Sequence, residues 1–258
     1  MGLFITELKK IRRRHIGMLY AATWIIDFIW MYWAMGRGLT GSRFLVGQEY
    51  YYLLLTLPII NAIFLPTILA SAASRLCDIE LKGNALKMLC TMEPRQSIFH
   101  TKLLVGTIYV FLFSMAQTAM IPLLCTILPT TQEIPPANVL LYGMTTFGVS
   151  MVLLIIQQSL SLLSKNQLFP LFFGVGGSFV GIFFAFFPQI PPVLPWTYYY
   201  ALCTVNMHYS QSVRDVTYYL IPFRTGLFLG FMAFGVLAYM IGKKLFMNRE
   251  GVSWKKGR

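Results

Sequence analysis

The sequence predicts an all-α polytopic membrane protein with six transmembrane helices. Hydrophobic residues make up 57% of the 258-residue chain and charged residues only 12%, whereas roughly a quarter of the residues in a soluble domain are charged. Several apolar runs reach the length of about 20 residues that a helix needs to cross a bilayer. All but four of the 21 lysines and arginines lie at the two ends or between alternate runs, which is typical of cytoplasmic segments. We therefore expect both termini in the cytoplasm.

The first expected element is an interfacial helix at residues 1–16. Phe4, Leu8 and Ile11 share one side of this helix, and five basic residues precede the first span, so it would lie on anionic lipid. A disordered basic tail is the alternative. The six spans that follow are predicted at residues 17–35, 50–74, 98–128, 137–163, 168–187 and 223–242.

The segment before the last span, residues 188–222, is mostly apolar but rich in proline. Because proline interrupts regular helices, we expect one or two short helices that re-enter the outer leaflet without crossing it. Its aromatic residues are of the kind that anchors proteins at the membrane interface, and exposure there would also let them contact a cationic amphipathic substrate. These residues are Trp196, Tyr198, Tyr199 and Tyr200.

Asp27 is the only acidic residue inside a predicted span. A charge at that depth is costly unless it is paired, protonated or hydrated, so we expect Asp27 to face a polar bundle interior or to bond to a neighbouring helix. A proton or cation site is the alternative. The neutral residues Asn61, Gln117, Gln157 and Gln158 either bond across helices or line a translocation surface.

Glycines in the fifth predicted span point to helix packing. Gly174, Gly176, Gly177 and Gly181 lie in an otherwise apolar run, where small residues allow neighbouring helices to approach closely. A phosphate-binding loop is the weaker alternative.

No catalytic pattern is present in the sequence. It contains no Gly-x-x-x-x-Gly-Lys-Ser/Thr loop for ATP and no paired metal-ligand spacing, so we expect neither an enzyme nor a bound cofactor or metal. Nearly all of the net charge of +12 comes from residues outside the predicted spans, which indicates the membrane surface rather than nucleic acid. The four cysteines are scattered, and a Cys125–Cys203 bridge remains open.

A charged segment between the second and third spans, residues 75–92, has the pattern of an amphipathic helix. At helical spacing Leu81, Ala85, Met88 and Met92 share one side with Leu89 nearby, and Glu80, Asn84, Lys87 and Thr91 share the other. Asp78 and Lys82 are one turn apart, which favours an ion pair. Such a helix is suited to contact a soluble partner, although lying flat on lipid headgroups is the alternative.

This segment carries a family resemblance. The run Asp78-x-Glu80-x-Lys82-Gly83, then Lys87-Met88-Leu89, Pro94-Arg95, Ile98 and Lys102, resembles the first cytoplasmic loop of ABC-transporter permeases of the type-II exporter class. The length and layout of the chain are also similar to this class, and the small bacterial permeases of lantibiotic self-protection and bacitracin resistance look closest. Lys82 precedes Gly83 and Glu80 is displaced by one position from the usual pattern.

The resemblance implies a permease without its own ATPase site. Separate ATP-binding-cassette subunits would grip residues 75–92 as a coupling helix, and two permeases, identical or related, would form the complex. The coupling residues would be Glu80, Leu81, Lys82, Gly83, Ala85, Lys87 and Leu89.

The substrate implied by the likeness is an amphipathic peptide antibiotic, expelled from the bacterial plasma membrane near spans two and five and the re-entrant segment. The alternatives are a non-transporting assembly or signalling subunit, an exporter of another lipid-like or small-molecule substrate, and a secondary carrier that uses Asp27.

Overall fold

The apolar runs form long helices in a computed structural model of the chain. The structure describes residues 14–41, 47–81, 85–128, 130, 133, 135–187, 191–210 and 215–249. Within these residues, six helices are long and apolar enough to cross a membrane, and the prediction of an all-α polytopic protein with six spans is confirmed. The expected interfacial helix lies almost entirely outside the described residues.

The elements are, in chain order, α1 (Ile16–Gly41), α2 (Glu49–Leu81), α3 (Ala85–Met92), α4 (Arg95–Ile127), α5 (Pro136–Leu163), α6 (Leu168–Phe186), a 3₁₀ turn (Pro195–Thr197), α7 (Tyr198–Ala201), β1 (Val205–Ser210), β2 (Asp215–Leu220) and α8 (Thr225–Met247). The six candidate spans are α1, α2, α4, α5, α6 and α8. We call one end of the bundle the α3 end and the other the hairpin end, after the elements found there.

The first two spanning helices run further than the apolar runs predict. Helix α1 continues past Met35 to Gly41, where the Arg37 guanidinium lies 5.1 Å above the Trp33 ring and so gains a cation–π contact. Helix α2 continues past Ser74 to Leu81. Residues 75–92 are therefore divided between the end of α2 and the separate short helix α3, rather than forming one helix.

Helix α2 is the centre of the bundle. It packs against α1, α4, α5 and α6, and 72% of its most apolar stretch is buried, compared with 28% for α1 and 17% for α8. Helix α5 lies between α2, α4 and α8. The apolar core divides into two clusters, one towards the α3 end around Leu69, Leu76 and Phe99, the other towards the hairpin end around Leu54 and Met120.

The segment before the last span contains a β-hairpin that the sequence analysis did not predict. The expected short helices are present as the 3₁₀ turn and α7, but strands β1 and β2 follow and pair antiparallel, with Met207 opposite Tyr218. Val, Tyr and Thr in these strands favour extended backbone, and an isolated hairpin is only marginally stable. It is held on the bundle because the Tyr218 amide donates to the Gln48 side chain at 2.7 Å and the Tyr218 ring packs edge-on against Tyr52.

Candidate functional site

Helix α3 presents an apolar surface outside the bundle. Met88 and Met92 are 70% and 73% exposed, and their i, i+4 spacing places them on the same face. Leu89, from the expected coupling set, is half-buried. The side chains of Glu80, Leu81, Ala85 and Lys87, and residues Lys82 and Gly83 altogether, lie outside the described part of the chain. Met88 and Met92 therefore join the candidate coupling surface on structural grounds.

An ion pair and hydrogen bonds from charged side chains connect the end of α2 to its neighbours beside α3. Asp78 pairs with Arg14 at 3.7 Å, and Arg75 donates to the Arg14 backbone carbonyl at 3.0 Å. Lys102 of α4 is 1% exposed, and its Nζ donates to the Leu76 carbonyl at 2.7 Å. A buried ammonium group needs such acceptors because desolvation is costly. Any displacement of the end of α2 must therefore move α1 and α4 or break these bonds.

Two further arginines bond to carbonyl groups at the C-terminal ends of helices at the α3 end. Arg249 donates to the carbonyl of Leu162, near the end of α5, and Arg95 donates to the carbonyl of Met247, at the end of α8. Helix C-termini carry partial negative charge and unpaired carbonyls, so cations stabilise them. These contacts connect the N-terminal end of α4 with the C-terminal end of α8, and the segment after α8 with the C-terminal end of α5. Like the Lys102 contact, they lie at the α3 end of the bundle.

A buried polar cluster lies between the two apolar core clusters. It is formed by Asp27 of α1, Asn61 of α2, Gln117 of α4 and Tyr142 of α5, which are at most 5% exposed. Gln117 Nε2 lies 2.8 Å from Asp27 Oδ2 and 2.9 Å from Asn61 Oδ1, and the Tyr142 hydroxyl donates to Gln117 Oε1 at 2.9 Å. The structure thus places Asp27 against neighbouring helices.

Two other glutamines from the sequence analysis are buried elsewhere in the bundle. Gln158 Nε2 donates to the Phe99 carbonyl at 3.0 Å, which links α5 to α4. Gln157 is 1% exposed and lies beside Gly174 of α6. Both side chains face other helices rather than an open channel.

The glycines of α6 form a close contact with α2 and with the 3₁₀ turn. A Cβ atom at Gly174 would meet Ala70 and would lie 2.9 Å from the Pro66 carbonyl oxygen. At Gly181 it would lie 2.9 Å from the Ala62 carbonyl, and at Gly177 it would overlap the Trp196 indole. Gly174 and Gly181 allow backbones to approach as small residues do in other membrane helices, and Gly177 makes room for the indole ring of Trp196. Gly176 faces open space.

The expectation of exposed aromatic residues is wrong for two of the four. Trp196 and Tyr199 are 7% and 4% exposed: Trp196 fills the space above Gly177, and the Tyr199 hydroxyl lies 2.8 Å from Ser150 Oγ inside the bundle. Tyr198 and Tyr200 are half-buried. Tyr199 is accommodated inside the bundle because Ser150 supplies a hydrogen-bond partner for its hydroxyl group. Trp196 is accommodated because Gly177 leaves room for the indole ring.

Beside these residues an apolar groove of about 510 Å³ opens at the hairpin end. It lies between α6 and the proline-rich segment, and its lining includes Phe179, Phe183, Pro191, Val193 and Leu194. Phe179, Phe183 and Val193 are 69%, 59% and 80% exposed. The sequence analysis did not identify these residues, because an apolar run alone does not distinguish a groove from a lipid-facing surface.

Cys125 and Cys203 are not joined by a disulfide bond in the structure, so the Cys125–Cys203 bridge is not formed. The Cys203 thiol lies 3.2 Å from the Leu54 carbonyl. Burial raises the pKa of this thiol to about 12, which keeps it protonated and unreactive at neutral pH. Within the described residues, no group of three or more His, Cys, Asp or Glu residues could hold a metal ion.

Comparison with known protein families identifies the class of the chain. Residues 3–181 match the ABC-2 family transporter protein profile, and this match covers α1 to α5 and most of α6, including the α3 segment. No curated protein and no solved structure matched the chain. Members of the family are transmembrane permease subunits, generally without an ATPase site, that associate with ATP-binding-cassette ATPases. The chain therefore belongs to the ABC-2 family of transporter proteins and is a membrane permease subunit of an ABC exporter.

Proposed function

We propose that this permease subunit expels amphipathic peptide antibiotics of the lantibiotic type from a bacterial plasma membrane, as self-protection or resistance. The observation that carries the proposal is the apolar groove beside α6 at the hairpin end. A peptide inserted in the outer leaflet has one apolar face, and burial of that face stabilises binding by about 25 cal/mol per Å². Because the groove borders the lipid-facing surface of α6, a substrate can enter it from the bilayer.

The proposal sets the α3 end in the cytoplasm with both termini, and the hairpin end outside. The distribution of lysines and arginines supports this orientation. The contacts of Arg75, Arg95 and Arg249 add support, because these side chains bond to backbone carbonyls at the α3 end. On this side the basic N-terminal segment would lie on anionic lipid.

Helix α3 and the end of α2 would be the docking point for an ATPase subunit. Met88 and Met92 offer exposed, adaptable apolar contacts of the kind found at docking surfaces, and Glu80, Lys82 and Lys87 would set the orientation. Two permeases, identical or related, would associate with two ATPases.

A mechanical path leads from the docking surface to the groove. Closure of the ATPases would displace α3 and, through the short connection, the end of α2. Lys102 and the Arg14–Asp78 pair would carry that displacement to α4 and α1. Close packing at Gly174 and Gly181 would carry it to α6, whose Phe179 and Phe183 line the groove. In this way ATP hydrolysis would reshape the groove and release the peptide outward.

Charge on the docking surface tests the coupling part of the proposal. Met88→Asp together with Met92→Asp should abolish co-purification with the ATPase and resistance to the peptide, because apolar contact is replaced by two charges. Gln96→Asp is the matched control, since Gln96 is also exposed at the α3 end. The double variant should still reach the membrane. Full resistance in the double variant would refute docking at α3.

Truncation of the groove tests the substrate. Phe183→Ala should weaken stimulation of ATP hydrolysis by a cationic amphipathic peptide in the reconstituted complex, whereas Phe172→Ala should not. Phe172 is a fair control because it is 71% exposed on the same helix and does not line the groove. Stimulation by phospholipid but not by peptide would favour a lipid-like substrate. Absence of stimulation by either would favour an assembly or signalling role.

A further inference from the structure

Three members of the buried polar cluster form a closed ring of hydrogen bonds. The Tyr142 hydroxyl donates to Gln117 Oε1, Gln117 Nε2 donates to Asn61 Oδ1, and Asn61 Nδ2 donates to the Tyr142 oxygen at 3.0 Å. This closure couples the orientations of the two amides, because reversing one of them alone would place donor against donor or acceptor against acceptor. The ring uses one N–H of each amide, and the second N–H of Gln117 donates to Asp27.

Asp27 is therefore short of hydrogen-bond donors. Its Oδ2 accepts from Gln117, while Oδ1 is buried and has no hydrogen-bond partner in the described part of the chain. An ionised carboxylate offers about four acceptor positions, and a buried charge needs a partner cation or several donors. Among the described residues, no lysine or arginine pairs with Asp27. A neutral carboxylic acid costs less in this environment than a carboxylate, because Oδ2 accepts from Gln117 and only the uncharged hydroxyl at Oδ1 is left without a described partner.

We propose that Asp27 is a proton-binding site inside the membrane, occupied while α1 is packed on α2 and α4. When these helices separate and water reaches the cluster, the Oδ1–H bond breaks, the proton passes to a water molecule, and the carboxylate is left hydrated. Repacking of α1 requires that a proton be taken up again. Protonation of this site is thereby linked to the separation of α1 from the rest of the bundle.

The other ionisable groups around α1 lie away from the carboxyl. On α4, Tyr109 stacks against Tyr20, about two turns from Asp27, and Lys102 bonds to Leu76 at the α3 end. On α2, Arg75 and Asp78 also lie at the α3 end, where they contact Arg14. Glu49 and Tyr50, Tyr51 and Tyr52 lie in the first turn of α2 at the hairpin end.

Tyr142 is the titratable neighbour within the cluster, and a small cavity lies next to it. A cavity of about 10 Å³ lies between α2, α5 and α7, with Pro58, Tyr142 and Thr204 in its lining. That volume is close to the minimum for one water molecule. The cavity therefore has room for about one water molecule beside the ring.

Infrared spectroscopy of the full-length protein in lipid nanodiscs tests the proposal. At neutral pH the wild type should show the carbonyl stretch of a protonated carboxyl group, and Asp27→Asn should remove that component. Glu49→Gln is the control, because Glu49 is another fully buried carboxyl group, and the Asp27 component should persist in this variant. A spectrum in which Asp27→Asn removes only carboxylate bands would overturn the proposal.

Thermal unfolding gives an independent readout. Asparagine copies the neutral acid in shape and keeps a carbonyl for Gln117, so Asp27→Asn should unfold within about 2 °C of wild type, a difference of less than about 1 kcal/mol for a chain of this size. Asp27→Leu, which leaves the Gln117 N–H unpaired, should unfold at a lower temperature. Strong destabilisation by Asp27→Asn would mean that the charged form is required. Stabilisation of wild type by sodium ions, lost in Asp27→Asn, would identify a cation site and also overturn the proposal.

Discussion

Replacing Gly174 by alanine gives the sharpest test of the contact between α2 and α6. The added methyl group would meet the Ala70 methyl and would lie 2.9 Å from the Pro66 carbonyl oxygen and 3.2 Å from Gln157 Nε2. Two of these obstacles are a backbone atom and a short side chain of the neighbouring helix, so neither can rotate away. Helix α6 must shift away from α2, and overpacking of this kind costs about 1–3 kcal/mol.

Gly176→Ala supplies the matched control on the same helix. Among the residues that the structure describes, none lies within 4 Å of a Cβ atom at Gly176, so this variant keeps only the gain in helix propensity, which is up to about 1 kcal/mol. That gain is common to both variants and cancels when they are compared. The difference between them therefore isolates packing, about 1–3 kcal/mol, with Gly174→Ala the less stable.

Thermal unfolding of both variants in the same nanodiscs measures this difference. For a chain of this size 1 kcal/mol shifts the melting temperature by about 2–4 °C, so Gly174→Ala should melt about 2–12 °C below Gly176→Ala. Equal melting temperatures, or a lower value for Gly176→Ala, would refute the close contact of α2 and α6. The proposed path of movement from α3 to the groove would then lose its final step.

Three further outcomes are expected. The Lys102→Met variant cannot donate a hydrogen bond to the Leu76 carbonyl and should lower substrate-stimulated ATP hydrolysis by the assembled complex several-fold. Lys244→Met, at an exposed position, should not lower it. Equal ATP hydrolysis by the two variants would argue against Lys102 as a link between α2 and α4. Tyr199→Phe removes the hydroxyl bonded to α5 and should lower the free energy of unfolding by about 1–3 kcal/mol, measured by denaturant titration. In a cysteine-free background, a membrane-impermeant thiol reagent should label Met207→Cys on intact cells and Met88→Cys only after lysis; the reverse pattern would overturn the orientation.

The number and nature of the spans could be predicted because apolar length is a direct consequence of bilayer thickness. The predicted positions of the helix ends agree less well with the structure. The first span is predicted to end at residue 35, but α1 continues to Gly41, and the Arg37 guanidinium lies over the Trp33 ring. The end of α2 likewise extends into the charged segment because Arg75 and Asp78 find partners at Arg14.

Features that depend on contacts between distant residues could not be predicted. The sequence indicates that Asp27 needs a partner, but the pairing with Gln117 depends on how α1 and α4 are aligned. Trp196 is a residue type that often anchors proteins at the membrane interface, and its burial depends on the space left by Gly177. The hairpin was missed because the prolines and apolar residues around it dominated the pattern of residues 188–222.

The central claim is that this chain does not export substrate by itself and that a separate ATPase, docked on α3, drives its movement. Reconstitution in lipid vesicles tests it most directly, with export of a labelled amphipathic peptide followed over time in the presence of ATP. The account predicts no ATP-dependent export by the permease alone, export once the ATPase subunits are added, and loss of that export in the Met88→Asp, Met92→Asp variant. Export by the permease alone, or by the variant complex at the wild-type rate, would contradict it.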